Sequence, residues 1–223
     1  MAQPTDKVPQ PTLARLSLYL RFLRQLAQQG VKTISSARME AHCGIIPAQI
    51  RKDLSYFGEF GKPGVGYDVQ HLLTRLTEIM QLDREHRVVI VGAGNLGSAL
   101  AGYSAFVNSP FRIVAIFDNN FSKIGRMLWN HEIFDVQRLP EINQHMRANV
   151  GIIAVPAEAA QEVADLLVKS DIRGLLNFAP AFVNCPPNVA VRMVDLTQEL
   201  EILAYHLNRV GAADADNPPP TGE

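Results

Sequence analysis

The sequence predicts an α/β chain in two parts: an N-terminal winged helix-turn-helix, then a Rossmann-like doubly wound parallel sheet closed by a long apolar helix. Three observations carry this. Between Leu13 and Gly58, helical periodicity is broken by two short turns, and a glycine-rich hairpin follows at once. From Val88 onward, short apolar β-runs alternate with helical patterns. At the first of those β-runs stands "VVIVGAGNLGSAL", three glycines at G-x-G-x-x-G spacing between a strand and a helix.

Taken in order, residues 1–12 are polar and proline-rich and are expected to be flexible. Arg15–Gln29 repeats Leu16, Tyr19, Leu20, Leu23 and Leu26 at three and four residues, an amphipathic helix closed by Gly30. Ser35 or Ser36 can cap a short helix that ends near His42. Pro47 suits the first turn of the next helix, "AQIRKDLSYF". The segment "GEFGKPGVGYDV" reads as a tight β-hairpin, the wing. His71–Leu82 is expected to be a linking helix. Strands follow at Val88–Val91, Ile113–Asp118, Val150–Val155, Leu175–Asn177 and Val189–Val194, with helices at Leu96–Phe106, Ala157–Lys169 and Thr197–Arg209. The expected boundaries are 13–82 for the winged helix, 83–195 for the sheet, 196–210 for the last helix and 211–223 for a disordered tail.

Composition narrows the function. The 223 residues are 47% hydrophobic and 19% charged, an ordinary globular balance, and no apolar run is long enough to span a bilayer. Cys43 and Cys185 stand alone, without C-x-x-C spacing, which predicts free thiols, no metal site and a cytoplasmic chain. Residues 1–80 hold ten Lys/Arg against six Asp/Glu, and residues 81–223 hold eleven against sixteen. A basic module joined to an acidic one suggests a polyanion partner for the first.

The glycine run predicts a dinucleotide site. Gly92 permits the tight turn, Gly94 lets backbone approach a pyrophosphate, and Gly97 lets the helix seat on the sheet. Ala93, Asn95 and Leu96 complete the loop and bring N–H groups to the helix start. Asp118 ends the next strand and can accept from a ribose 2′-OH, which favours NAD over NADP. Lys123 and Arg126 lie close enough to bind phosphate, which is the feature that would favour NADP instead. "IIAVPAEAAQ" and "LLNFAP" each follow a strand and place Ala154, Pro156, Ala157, Phe178 and Ala179 beside the crevice. That wall is uncharged and offers no carboxylate to a cationic ring. No His-Asp pair or Tyr-x-x-x-Lys accompanies it, and His131 and His145 have no obvious partner. A hydride-transfer enzyme needs a group to manage the substrate's proton.

In the helix before the wing, Ile50, Leu54 and Phe57 share one face. Lys52, Ser55 and Tyr56 fall opposite, flanked by Gln49 and Arg51, a set suited to base edges and phosphates. Lys62 at the hairpin tip suits a backbone or minor-groove contact, and Ser35 and Ser36 open the preceding helix.

Here the chain resembles the Rex family of redox-sensing transcriptional repressors. The resemblance rests on "ISSARMEAHCGIIPAQIRKDLSYFGEFGKPGVGY", "VGAGNLGSAL", "IFDNN", "IAVPAEAAQEVAD", "LLNFAP" and "VDLTQELEILAYHL". It implies a homodimer whose last helix is exchanged between protomers. It further implies NADH and NAD+ as sensed ligands that are not consumed, and a palindromic operator bound when NADH is low and released when NADH binds. Arg15, Tyr103 and Asp195 match family positions that link cofactor state to domain arrangement. Two other readings stay open: a small NAD-dependent oxidoreductase, and a CoA-binding fold. A carboxylate at Asp118 would repel the 3′-phosphate of CoA.

Overall fold

The computed structural model describes residues 8–62, 64–107 and 109–215, with side chains described through Leu207. It divides into two compact units, Met1–Arg84 and Glu85–Glu223.

In the first unit, α1 spans Gln10–Gln28, starting five residues before the expected Arg15. Prolines tolerate a first helical turn, where their missing N–H has no partner to lose. Pro9 caps the helix, Pro11 lies in its first turn, and Thr12 is already buried. Residues 10–12 are therefore helical, not flexible, and residues 1–7 lie outside the described part. The buried stripe Leu16, Tyr19, Leu20, Leu23 and Leu26 clusters with Leu72 and Leu76 of α4 (Val69–Ile79). Helix α2 is Ser36–Cys43 and α3 is Pro47–Ser55, ending sooner than the run to Gly58 suggests. Ser35 caps α2 by accepting from the Arg38 N–H at 3.2 Å. The wing pairs β2 (Gly61–Lys62) with β3 (Gly66–Asp68). A strand the sequence does not reveal, β1 (Thr33–Ile34), adds to β3 through Ile34 opposite Tyr67.

The second unit is a seven-stranded sheet in the order β10-β9-β8-β4-β5-β7-β6. Its strands are β4 (His86–Val91), β5 (Phe111–Asp118), β6 (Met127–Leu128), β7 (His131–Asp135), β8 (Val150–Ile153), β9 (Gly174–Asn177) and β10 (Ala190–Met193). All pairings are parallel except β6 with β7, which form an antiparallel hairpin at one edge. That hairpin and helix α6 (Leu139–Met146) were not expected from the sequence. Buried residues split by strand parity: Val89, Val91 and Phe117 face one layer with Ala164 and Leu167 of α7 (Ala160–Lys169), and Val88, Ile90 and Ile116 face the other. Helix α5 is shorter than its pattern, Asn95–Ala101, followed by a 3-10 turn at Ser104–Phe106. The chain leaves β4 toward β5 on one side and β8 lies on the other, so β4 marks the point where strand order reverses. In such sheets ligands bind beyond the carboxyl ends of the strands at that point.

Helix α8 runs Leu196–Ala215, so residues 211–215 continue the helix instead of belonging to a disordered tail. Asp195 caps it, accepting from Thr197 N–H at 2.9 Å and Gln198 N–H at 3.3 Å. Leu196, Leu200, Leu203 and Leu207 are each more than half exposed. Val210, the next position of that seam, lies outside the described side chains.

Candidate nucleotide site and nucleic-acid interface

Three strand ends build a cavity of about 360 Å³. From β4 come Val91, Gly92 and Gly94; from the end of β5, Asp118, Asn119, Asn120 and Lys123; from β8, Ala154, Val155 and Pro156. Gly92 is held with φ +106, and a Cβ there would run into the Ala154 carbonyl oxygen. A Cβ on Gly97 would strike the carbonyl oxygen of Gly92, so α5 meets the turn with no room for a side chain. Gly94 is different: no atom lies within 4 Å of where its Cβ would stand. Backbone there faces open space into which a phosphate can come close.

Asp118 is nearly buried, with 7% of its surface exposed. One oxygen accepts from the Ala93 N–H at 2.8 Å and from Lys123 Nζ at 3.1 Å; the other accepts from the Asn120 N–H at 2.8 Å. Burial pushes this carboxyl up, but the Asn120 N–H, the Lys123 ammonium and the Ala93 N–H together hold it below its ordinary value. It is an anion with unused lone pairs at the cavity wall, as a ribose acceptor must be. Lys123 stands beside it as a partner, which partly neutralises both.

Not every expected residue lines this cavity. Asn95 and Leu96 are exposed at the start of α5, and Ala157 is half-buried in the 3-10 turn after β8. Phe178 leans into the cluster of Val88 and Ile90, and Ala179 is buried in the opposite layer. The wall instead includes Val136, Gln137, Ala159, Glu162, Val163 and Leu166. Glu162 and Asp118 give it two carboxylates, so it is not the uncharged wall that the strand-end residues suggested. Glu162, Val163 and Leu166 recur on one face of α7, and that amphipathic spacing is the signal that could have found them. Among the described residues, no cluster of three His, Cys, Asp or Glu could hold a metal.

A second concavity, of about 590 Å³, opens between α3 and the wing. Ser35, Ser36, Arg51, Ser55 and Lys62 line it. Arg51 and Lys52 are exposed, and Arg51 donates to Ser36 Oγ at 3.1 Å. Ser55 Oγ donates to the Lys52 carbonyl at 2.8 Å. Two members of the expected face depart from it. Tyr56 is half-buried past the end of α3, and Gln49 turns inward to donate to Asp53 at 2.8 Å.

Of the three switch positions, Arg15 forms a bidentate pair with Asp53, through Nε at 2.6 Å and Nη2 at 2.7 Å. Tyr103 is exposed and meets Phe106 edge to face. Asp195 caps α8.

A winged helix ahead of a Rossmann-type sheet, with a groove carrying Arg51, Lys62 and Glu59 on the first and a strand-end cavity on the second, defines a two-unit nucleotide-binding regulator. Residues 7–55 match the family model "Putative DNA-binding protein N-terminus", and residues 83–181 match "CoA binding domain". The redox-sensing transcriptional repressor Rex of Carboxydothermus hydrogenoformans is 47% identical over 91% of this chain and 98% of its own length. That of Streptomyces coelicolor is 43% identical over 95% and 84%. Among solved structures, RSP, a Rex-family repressor, matches with a TM-score of 0.85 and 34% identity over 95% of this chain and 99% of its own. RSP has been captured with beta-NAD+ and operator DNA, at a TM-score of 0.86, and with beta-NADH, at 0.84. This chain belongs to the Rex family of redox-sensing transcriptional repressors.

Proposed function

We propose that this chain represses transcription by reading the NADH/NAD+ ratio: it holds a palindromic operator when NADH is scarce and releases it when NADH binds. The observation that carries this is one chain bearing both the Gly92 and Gly94 cavity rimmed by Asp118 and the groove of Arg51, Ser55 and Lys62 beside an exposed Lys52, in a family where RSP was captured with both kinds of ligand. The dinucleotide is read and not consumed. Gly92, Gly94, Asp118, Lys123, Ala154 and Pro156 hold it; Ala93, Asn95, Leu96, Gly97 and Ala157 shape the loops around it; Phe178 and Ala179 back the neighbouring strand end. Ser35, Ser36, Arg51, Lys52, Ser55 and Lys62 meet DNA.

NADH and NAD+ differ by one ring charge and in ring planarity. A ring seated against the uncharged Ala154 and Pro156, away from Asp118 and Glu162, gains no compensation for a cation's lost water, and there the neutral form is preferred. A ~100-fold preference needs only about 2.7 kcal/mol. Switching the protein from mostly DNA-competent to mostly released takes on the order of 5 kcal/mol of differential binding, shared by two sites in a homodimer. The exposed apolar seam of α8 supports such a dimer: Leu196, Leu200, Leu203 and Leu207 recur at four, three and four residues. Two linked winged helices then span two half-sites. Arg15, Tyr103 and Asp195 link cofactor state to the arrangement of the units. The chain works in the cytoplasm and has no catalytic residue.

The test is an NADH fluorescence titration with and without a duplex that the chain itself selects from a randomised pool. DNA should weaken NADH binding, and NADH should displace the duplex by the same factor. Independent binding of the two, or turnover of a hydroxy acid, aldehyde or imine, would overturn the reading.

A further inference from the structure

Asp53 is the middle residue of "RKDLS" in α3, and it is 0% exposed. Five hydrogen bonds converge on its carboxylate. Arg15 supplies two, at 2.6 and 2.7 Å; Tyr19 Oη donates at 2.8 Å, Thr12 Oγ1 at 3.1 Å and Gln49 Nε2 at 2.8 Å. Three of these donors, Thr12, Arg15 and Tyr19, lie on α1 at one-turn and two-turn spacing. They form a polar ladder at the start of that helix's buried face. Gln49 comes from α3 itself, one turn before Asp53.

The rest of the α3 seat is apolar: Ile50 and Leu54 are buried among α1 and α4 residues. Apolar contacts are non-directional and let a helix roll or slide by small amounts at little cost. A bidentate guanidinium–carboxylate pair is directional and short-ranged, and a small roll of α3 breaks it. Arg51 and Lys52 immediately precede Asp53, and Ser55 follows two residues on, so the roll that Asp53 sets is the roll of the exposed face.

We infer that Asp53 is a positioning residue for operator recognition: its carboxylate fixes α3 against α1 and so sets where Arg51, Lys52 and Ser55 meet base edges. This rests on the DNA-binding reading above. Asp53 touches no DNA itself, since its whole surface is enclosed. Its effect therefore opposes its charge. Simple electrostatics says that removing an anion near a polyanion's site should tighten binding. Positioning says that Asp53→Asn should loosen binding to the right sequence and leave binding to any other sequence alone.

Two variants and two probes separate these outcomes. The variants are Asp53→Asn, which keeps the shape but breaks the ion pair, and Tyr19→Phe, which removes one donor without altering α3. The probes are a duplex of about two helical turns, selected by the wild-type chain from a randomised pool, and the same duplex with its sequence shuffled. Binding is measured well below each variant's melting temperature and across a range of salt, with NADH titration as the check on the second unit. Asp53→Asn should weaken the selected duplex at least about tenfold, the loss of roughly one charge-assisted bond's worth of alignment. Tyr19→Phe should weaken it by less, about threefold. The shuffled duplex should bind as before or slightly tighter. The salt slope should not change, because no phosphate contact is removed, whereas Lys52→Ala lowers it by about one. Unchanged affinity of both variants for the selected duplex would overturn the inference. So would an equal loss on both probes, which would mark a role in stability alone. Should Asp53→Asn fail to fold, Tyr19→Phe decides. If the wild-type chain selects no duplex, it is the DNA-binding reading that fails.

Discussion

The main-chain N–H of Ala93 donates to the Asp118 carboxylate at 2.8 Å, which ties the glycine turn after β4 to the end of β5. One side chain thus has two tasks. It holds the loop that must face the phosphates, and it presents an acceptor to the ribose. Ala93 is itself buried, at 7% exposure, and its N–H finds its partner in this carboxylate.

Asp118→Ala should therefore leave an orphaned N–H and cost about 1–3 kcal/mol of stability. NADH should bind more weakly, and the gap between NADH and NADPH should narrow. Isothermal titration measures both. Native protein that bound NADPH as tightly as NADH would remove Asp118 from the ribose role.

Lys52 is exposed on α3, and the 2.8 Å bond it accepts from Ser55 Oγ is made by its main-chain carbonyl, which alanine keeps. Lys52→Ala should cost roughly 1–3 kcal/mol of operator binding, with NADH affinity nearly unchanged. A gel-shift titration in which the variant matches the native protein would take this helix face out of the interface.

Gly97→Ala puts a methyl group against the carbonyl oxygen of Gly92. Something in the turn or in α5 must shift, at about 1–3 kcal/mol by analogy with overpacked cores. Thermal melting should show the loss, and NADH affinity should fall with it because the shifted turn carries Gly94. A variant as stable as the parent would mean that α5 rides farther from the turn than described.

Acid should act through Asp53 and Asp118, both held below the ordinary carboxyl value of 3.8. A carboxyl with a depressed native value stabilises the fold fully above its unfolded value and loses that contribution as pH falls through the native one. The part of the stability that these two carboxyls hold should be lost below about pH 4. Asp118→Asn should drop less steeply there. Calorimetry across that range is the check, and an identical pH profile in the variant would contradict it.

Deleting residues 196–215 should leave monomer or aggregate, and operator binding should collapse with it. Each large apolar side chain covered by a partner contributes about 1.5–3 kcal/mol, and α8 offers several. Light scattering coupled to size exclusion reads the outcome. A truncated dimer that still bound operator would refute the exchanged helix while leaving the nucleotide site intact.

The parts that were legible in the sequence share a cause: the local chemistry leaves the chain no choice. Gly92 and Gly97 must be glycine for steric reasons, and the spacing shows it. Ile50 and Leu54 repeat with helical period and are buried. What was hidden depends on distant residues. The strand β1 is two residues long, too short for an alternation to register, and forms by pairing with β3 some 33 positions away, Ile34 opposite Tyr67. The β6–β7 hairpin carries Trp129, His131 and Glu132 among its apolar residues, so its period is blurred. Asp53 lies three residues after Ile50, on the buried stripe, yet a carboxylate there reads as a solvated residue until Arg15, 38 positions away, is brought beside it. The α7 wall of the cavity was missed because Val163 and Leu166 read as ordinary core.

Gly94 carries a lesson for selection experiments on this chain. Its neighbours at 92 and 97 are glycine because the fold itself would clash, whereas the space beside Gly94 is empty. A library scored on folding or expression should accept alanine or serine at position 94 and reject them at 97. The same library scored on cofactor-dependent release should reject both. The difference between the two maps would outline the footprint of the dinucleotide, residue by residue.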